Sequence, residues 1–109
     1  MIQVTVYRQK KQINAFSISG HADSGPYGYD LVCAGVSAVS FGAINAVMEL
    51  CDTDIIFEQA NEGGYLRVSL PNHLHKSEME KMQFLFEGMI ISLQTIEQEY
   101  GQFIAIQSK

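Results

Sequence analysis

Basic residues are scarce in this chain. Lys and Arg together number 7 against 12 Asp and Glu in 109 residues, and the formal net charge is −5. A nucleic-acid-binding domain carries a basic face, so direct contact with nucleic acid is not expected. A basic peptide or protein is the compatible partner, because opposite net charge steers encounter. Cysteine is scarce too, with only Cys33 and Cys51. On one helix, their separation along the axis would be roughly 27 Å, far beyond disulfide reach. Both are therefore expected as free thiols in a reducing compartment. His73 and His75 of "HLH" form a pair, but zinc needs at least three protein ligands at a recognisable spacing. No metal and no cofactor is expected. There is no repeat, low-complexity tract or linker that would divide residues 1–109, so a single domain is expected.

Export and membrane signals are also wanting. "MIQVTVYRQKKQ" places its charges after its apolar stretch, the reverse of a secretory signal. The longest weakly polar run, Leu31 to Leu50, is interrupted by Ser37, Ser40, Asn45 and Glu49. It reads as a buried helix and not as a membrane span. A cytoplasmic protein without a membrane partner is expected.

What the chain does have is apolar patterning. The apolar fraction is 47% and the charged fraction 17%, enough to build a core without metal or disulfide support. "MIQVTVYR" alternates, with Ile2, Val4 and Val6 on one face, and predicts a strand. "INAFSISG" predicts its hairpin partner across the polar turn "QKKQ", with Ile13 on one face and Phe16 and Ile18 on the other. "TDIIFEQA" and "GGYLRVSLP" predict two more strands joined at "NEGG", and Pro71 ends the second. A helix is expected over 77–100, started by a Ser77–Glu80 capping box and stopped at Gly101. Its stripe is Met82, Leu85, Met89, Leu93, Ile96 and Tyr100, with Met79 beside it. "QFIAIQ" predicts a last strand. The order is ββαββαβ. It implies a two-layer α+β fold, a mixed or antiparallel sheet with two helices on one face.

The first helix is predicted over 31–51. Gly35, Ala38, Gly42 and Ala46 line one side with little bulk, and Val36, Val39, Ala43 and Val47 line another. A helix apolar nearly all round is expected to be buried at the centre of the domain.

Before it lies "GHADSGPYGYDLVCAG", residues 20 to 35, where glycines and a proline separate a histidine from a cysteine. With Asp30 as N-cap, Cys33 would sit in the first turn. There the helix terminus would stabilise its thiolate, and the backbone N–H groups of Cys33 and Ala34 could hold an oxyanion. His21 could fold back across the loop as the second member of a dyad. Gly25, Tyr27, Gly28 and Tyr29 would form a bending loop that meets substrate. Asp23 and Asp30 compete as the group that orients His21, and capping would equally explain Asp30. The plain alternative is a buried, inert Cys33 beside a solvated histidine. Cys51, at the far end of the helix, reads as structural.

The segment "GHADSGPYGYDLVCAGVSAVSFGAINAV" resembles the signature of the ribosomal-processing cysteine proteases, the Prp family. Gly20, His21 and Ala22 match its first block; Asp30, Val32, Cys33, Ala34 and Ser37 match its second. The resemblance implies a cytoplasmic, homodimeric endopeptidase with a catalytic His21–Cys33 dyad. It also implies a substrate, the N-terminally extended form of a large-subunit ribosomal protein, cut after apolar and aromatic residues. Two other readings stay open: a non-catalytic ribosome-associated binding module, and an anion site at the helix N-terminus with the cysteine incidental.

Overall fold

The alternation read in the first nineteen residues becomes a hairpin of β1 (Ile2–Gln9) and β2 (Gln12–Ser19) in the computed structural model of the chain. The structure describes residues 1–20, 26–60 and 64–109, with residues 26–30 described by their backbone. The order continues as α1 (Pro26–Leu50), β3 (Ile56–Gln59), β4 (Tyr65–Ser69), α2 (Lys76–Tyr100) and β5 (Ile104–Ser108). The strands form one sheet in the order β3-β4-β2-β1-β5. Only β1 and β5 pair in parallel, so the sheet is mixed.

This topology places both helices on one face. The connection β2-α1-β3 and the connection β4-α2-β5 each join parallel strands, but they cross the sheet in opposite directions and start from antiparallel strands. Two right-handed crossovers of that kind lay their helices side by side. The helices touch each other: a Cβ built on Gly35 of α1 would lie 3.7 Å from the Ile96 Cδ1 of α2.

The core fills the space between sheet and helices. Val4 and Val6 are fully buried and pair with Ile18 and Phe16. Phe16 meets Phe86 of α2 edge to face at 5.0 Å between ring centroids. The register slips between Tyr7 and Arg8, which leaves Asn14 as an extra residue in β2. This bulge corrects the expected split of β2. It turns Ile13 onto the same face as Phe16 and Ile18, where all three are buried. Polar side chains of α2 then fasten the sheet. Gln83 accepts from the Ile13 N–H at 2.8 Å and donates to its carbonyl at 2.7 Å. Glu87 takes the Arg8 guanidinium in a two-pronged bond, 2.8 Å on each prong. Glu97 accepts from the Ile106 N–H at 2.9 Å.

The helices depart from expectation at their ends and exposure. α1 starts five residues before Leu31, with Pro26 at its first position, a favoured place for proline because the first-turn N–H has no helical partner. It is not buried all round. Val32, Val36, Ser40, Ile44 and Val47 face the core, whereas Leu31, Ala38, Phe41, Gly42 and Met48 are exposed. Two layers give a helix only one covered side, and the rest of its apolar surface stays open. The buried Ser40 hydroxyl is satisfied by the Val36 carbonyl at 2.7 Å. Leu31–Leu50 has a mean hydropathy of 1.9 over 20 residues, long and apolar enough to cross a membrane by length and composition, and 28% of it is buried.

In α2, Met82, Phe86, Met89, Ile90 and Leu93 are buried. The Ser77–Glu80 capping box does not form, because the N-cap is His75, two residues earlier, and it makes no side-chain cap bond. Gly101 ends the helix in a right-handed conformation, φ −61°, and not in the left-handed stop expected of it.

Candidate active site

Cys33 lines a cleft of about 420 Å³ between α1 and one end of the sheet. Helical spacing brings Cys33, Ser37 and Phe41 to this side of α1, one turn apart each. The facing wall comes from the β3–β4 end, through Gln59, Ala60 and Tyr65. The floor is apolar, with Ile2, Ile18 and Leu66. Cys33 is half-buried, so it packs against the core and still lines the cleft.

The same cleft is also lined by Gly20, the last described residue before His21. Its backbone is fixed. Gly20 has φ +90°, donates its N–H to the Gly64 carbonyl at 2.9 Å, and lies so close to Met1 that any Cβ would overlap the Met1 carbonyl oxygen. Glycine is therefore required here by both conformation and space.

His21, Asp23 and Gly25 lie outside the described residues. Cys33 is the eighth residue of α1, roughly 10 Å along the axis from its start. Three expectations are corrected by this. The helix terminus acts only within its first turn, and Cys33 lies beyond it. Asp30, the fifth helical residue, is not an N-cap. The N–H groups of Cys33 and Ala34 belong to the helix interior, where each bonds to the carbonyl four residues earlier, and neither is free to hold an oxyanion. Tyr27, Gly28 and Tyr29 are also helical and not part of a loop. Among the described residues, Cys33 does not stand at a helix start where an anion would be held.

Cys51 sits just past α1, buried at 6% exposure. Burial pushes its thiol above the ordinary range, and the nearby Glu78 adds to the rise. The two cysteines thus occupy opposite situations: one faces a cleft, the other is in the core. His73 and His75 are both exposed, and among the described residues no group of three or more His, Cys, Asp or Glu could hold a metal. Sequence reasoning missed Phe41, Gln59 and Tyr65. Phe41 was signalled by its helical spacing from Cys33, while the other two reach the cleft only because β4 pairs with β2.

Comparison with known proteins extends this picture. Residues 1–105 match the family model described as Cysteine protease Prp. The chain is 46% identical over 101 residues to the ribosomal processing cysteine protease Prp of Bacillus subtilis (strain 168), covering 92% of this chain and 90% of that protein. It is 34% identical over 108 residues to the protein of the same description from Staphylococcus aureus (strain Mu50), covering 99% and 97%. A crystal structure of the Staphylococcus aureus ribosomal processing protease Prp with a covalently linked product peptide aligns with a TM-score of 0.88 at 34% identity, over 100% of both chains. A second, with a substrate peptide, aligns with a TM-score of 0.85 at 33% identity, again over 100% of both chains. A mixed sheet with two helices on one face, and a cysteine opening into a cleft at its end, define together with these matches a cysteine protease. The chain belongs to the cysteine protease Prp family.

Proposed function

We propose that this protein is a cytoplasmic endopeptidase that removes the N-terminal extension of a large-subunit ribosomal protein, with Cys33 as nucleophile and His21 as its general base. The observation that carries the reading is the shared cleft, lined both by Cys33 and by Gly20, which is covalently followed by His21. The relatives named for ribosomal processing, and the peptides bound to the Staphylococcus aureus protein, supply the substrate class. Ribosomal proteins are basic, which suits a chain of net charge −5.

In this reading His21 removes the Cys33 proton and the thiolate attacks the scissile carbonyl. The tetrahedral intermediate collapses to a thioester as His21 returns the proton to the leaving amine. Water, deprotonated by His21, then attacks the thioester, and the acid product leaves as the thiol is restored. Since Cys33 lies beyond the first turn of α1, activation of the thiol falls on the imidazole. The apolar floor of Ile2, Ile18 and Leu66 suits apolar and aromatic side chains before the cut. The enzyme works as a homodimer, a state favoured by Phe84 and Ile91, 81% and 63% exposed and two turns apart on α2. Incubation with the extended ribosomal protein and mass spectrometry of the products tests the reading. A single N-terminal cut is expected, and binding without any cut would instead support a non-catalytic module.

A further inference from the structure

We propose that the free edge of β3 is a docking strand, on which an extended peptide pairs main chain to main chain with Phe57 and Gln59 as it enters the cleft. The inference rests on reading the cleft as a peptidase site, and it adds how the substrate is held.

Among the described residues, β3 is the outermost strand and pairs only with β4. Its register is unbroken from Ile56↔Ser69 to Gln59↔Leu66. One residue on, the Ala60 N–H bonds to the Tyr65 carbonyl at 3.2 Å. That bond makes 60/65 a hydrogen-bonded pair. Such pairs alternate along an antiparallel ladder, so the N–H and C=O groups of Ile56 and Glu58 turn toward β4. Those of Phe57 and Gln59 turn outward, to the open edge.

Native proteins protect an edge with lysine, proline, a bulge or a covering element. β3, "IFEQ", has no lysine, proline or bulge, and all four of its residues are exposed, with Ile56 at 70% and Phe57 at 42%. Among the described residues nothing pairs with this edge, and an open edge with apolar side chains suits strand addition by a peptide. The occupant follows from where the edge leads. Gln59 and Ala60 line the cleft that Cys33 also lines, so a strand laid along β3 leads to that cleft. Phe57 and Gln59 pair with Val68 and Leu66, both buried on the helix side. A peptide strand in register would therefore turn every second side chain toward that side, over Phe57 and toward Phe41 at the cleft.

The test uses Cys33→Ala protein, to prevent turnover, and a synthetic peptide spanning the N-terminal extension and cut site of the ribosomal protein. Amide hydrogen exchange is followed by NMR. The N–H groups of Phe57 and Gln59 are expected to exchange freely without peptide and to become protected with it, while Glu58 is protected throughout. In the active enzyme, Gln59→Pro removes one outward N–H without touching a β3–β4 bond. It should raise KM several-fold, up to about tenfold, relative to Gln59→Ala, which keeps that N–H. Cleavage by wild-type protein together with unprotected Phe57 and Gln59 amides on peptide binding overturns the docking strand and spares the peptidase reading. Protection by peptide without cleavage by wild-type protein does the reverse. Neither binding nor cleavage overturns both. Protection that grows with protein concentration without peptide assigns the edge to a second copy and overturns the proposal.

Discussion

Gly20 shows how tightly one position ties fold to site. Its φ of +90° and its contact with the Met1 carbonyl leave no space for a side chain. Gly20→Ala is expected to cost about 1–2 kcal/mol from the left-handed backbone and more from the overlap with the Met1 carbonyl, and urea unfolding measures it. The same change should lower cleavage per folded molecule, because it displaces the residue that leads into His21. Cys33 and His21 were legible as a pair only through the two-block motif, since a cysteine and a histidine co-occur readily in any chain of this length. Where Cys33 sits in its helix was not legible. Gly25, Pro26 and Gly28 suggest a loop, yet Pro26 begins the helix and Gly28 continues it. Proline at the first helical position loses no hydrogen bond, and tertiary packing outweighs the roughly 1 kcal/mol preference against glycine.

The elements themselves were easier to foresee than their joints. Alternation announced β1, and a stripe of threes and fours announced α2, because each has one buried face. The bulge at Asn14 was hidden, since it depends on Gln83 reaching across from α2 to satisfy Ile13. The Arg8–Glu87 bond belongs to the same class of cross-element fastening. Its hydrogen bonds to Arg8 hold the Glu87 carboxyl below the usual carboxylate range. A depressed carboxylate stabilises the fold above the pH where an unfolded Glu titrates, about 4.3. That contribution is lost as pH falls through the lower folded value. Glu87 is partly exposed, so the pair is worth less than about 1 kcal/mol. Glu87→Gln is expected to lower stability by that amount at pH 7, and the difference should shrink as the pH is taken below the range where an unfolded Glu titrates. Denaturant unfolding at pH 7 and below that range checks it, and a difference that does not change with pH would remove the ion pair as its cause.

The ββαββαβ order contains more than a fold class. Two crossovers in opposite directions put both helices on one face and leave α1 half uncovered, with Leu31, Met48 and Leu50 exposed on it and Phe84 and Ile91 exposed on α2. The proposed homodimer is the expected consequence, and sedimentation at micromolar concentration should give twice 12.1 kDa. A mass of 12.1 kDa would argue for a monomer. The cleft wall from β3 and β4 was not legible, because strand order is a property of the assembled sheet and leaves no local pattern in the chain. The most direct measurement is the rate at which wild type, Cys33→Ala, His21→Ala and Cys51→Ser cut the N-terminally extended ribosomal protein, followed by mass spectrometry. Cys33→Ala should show no cleavage. His21→Ala should be slower by on the order of 100-fold or more, the usual contribution of general acid–base catalysis. Cys51→Ser, whose sulfur is in the core and away from the cleft, should cut at nearly the native rate. Cleavage by Cys33→Ala at the native rate would contradict the account, and Cys33 would then be a wall of the cleft and not its nucleophile.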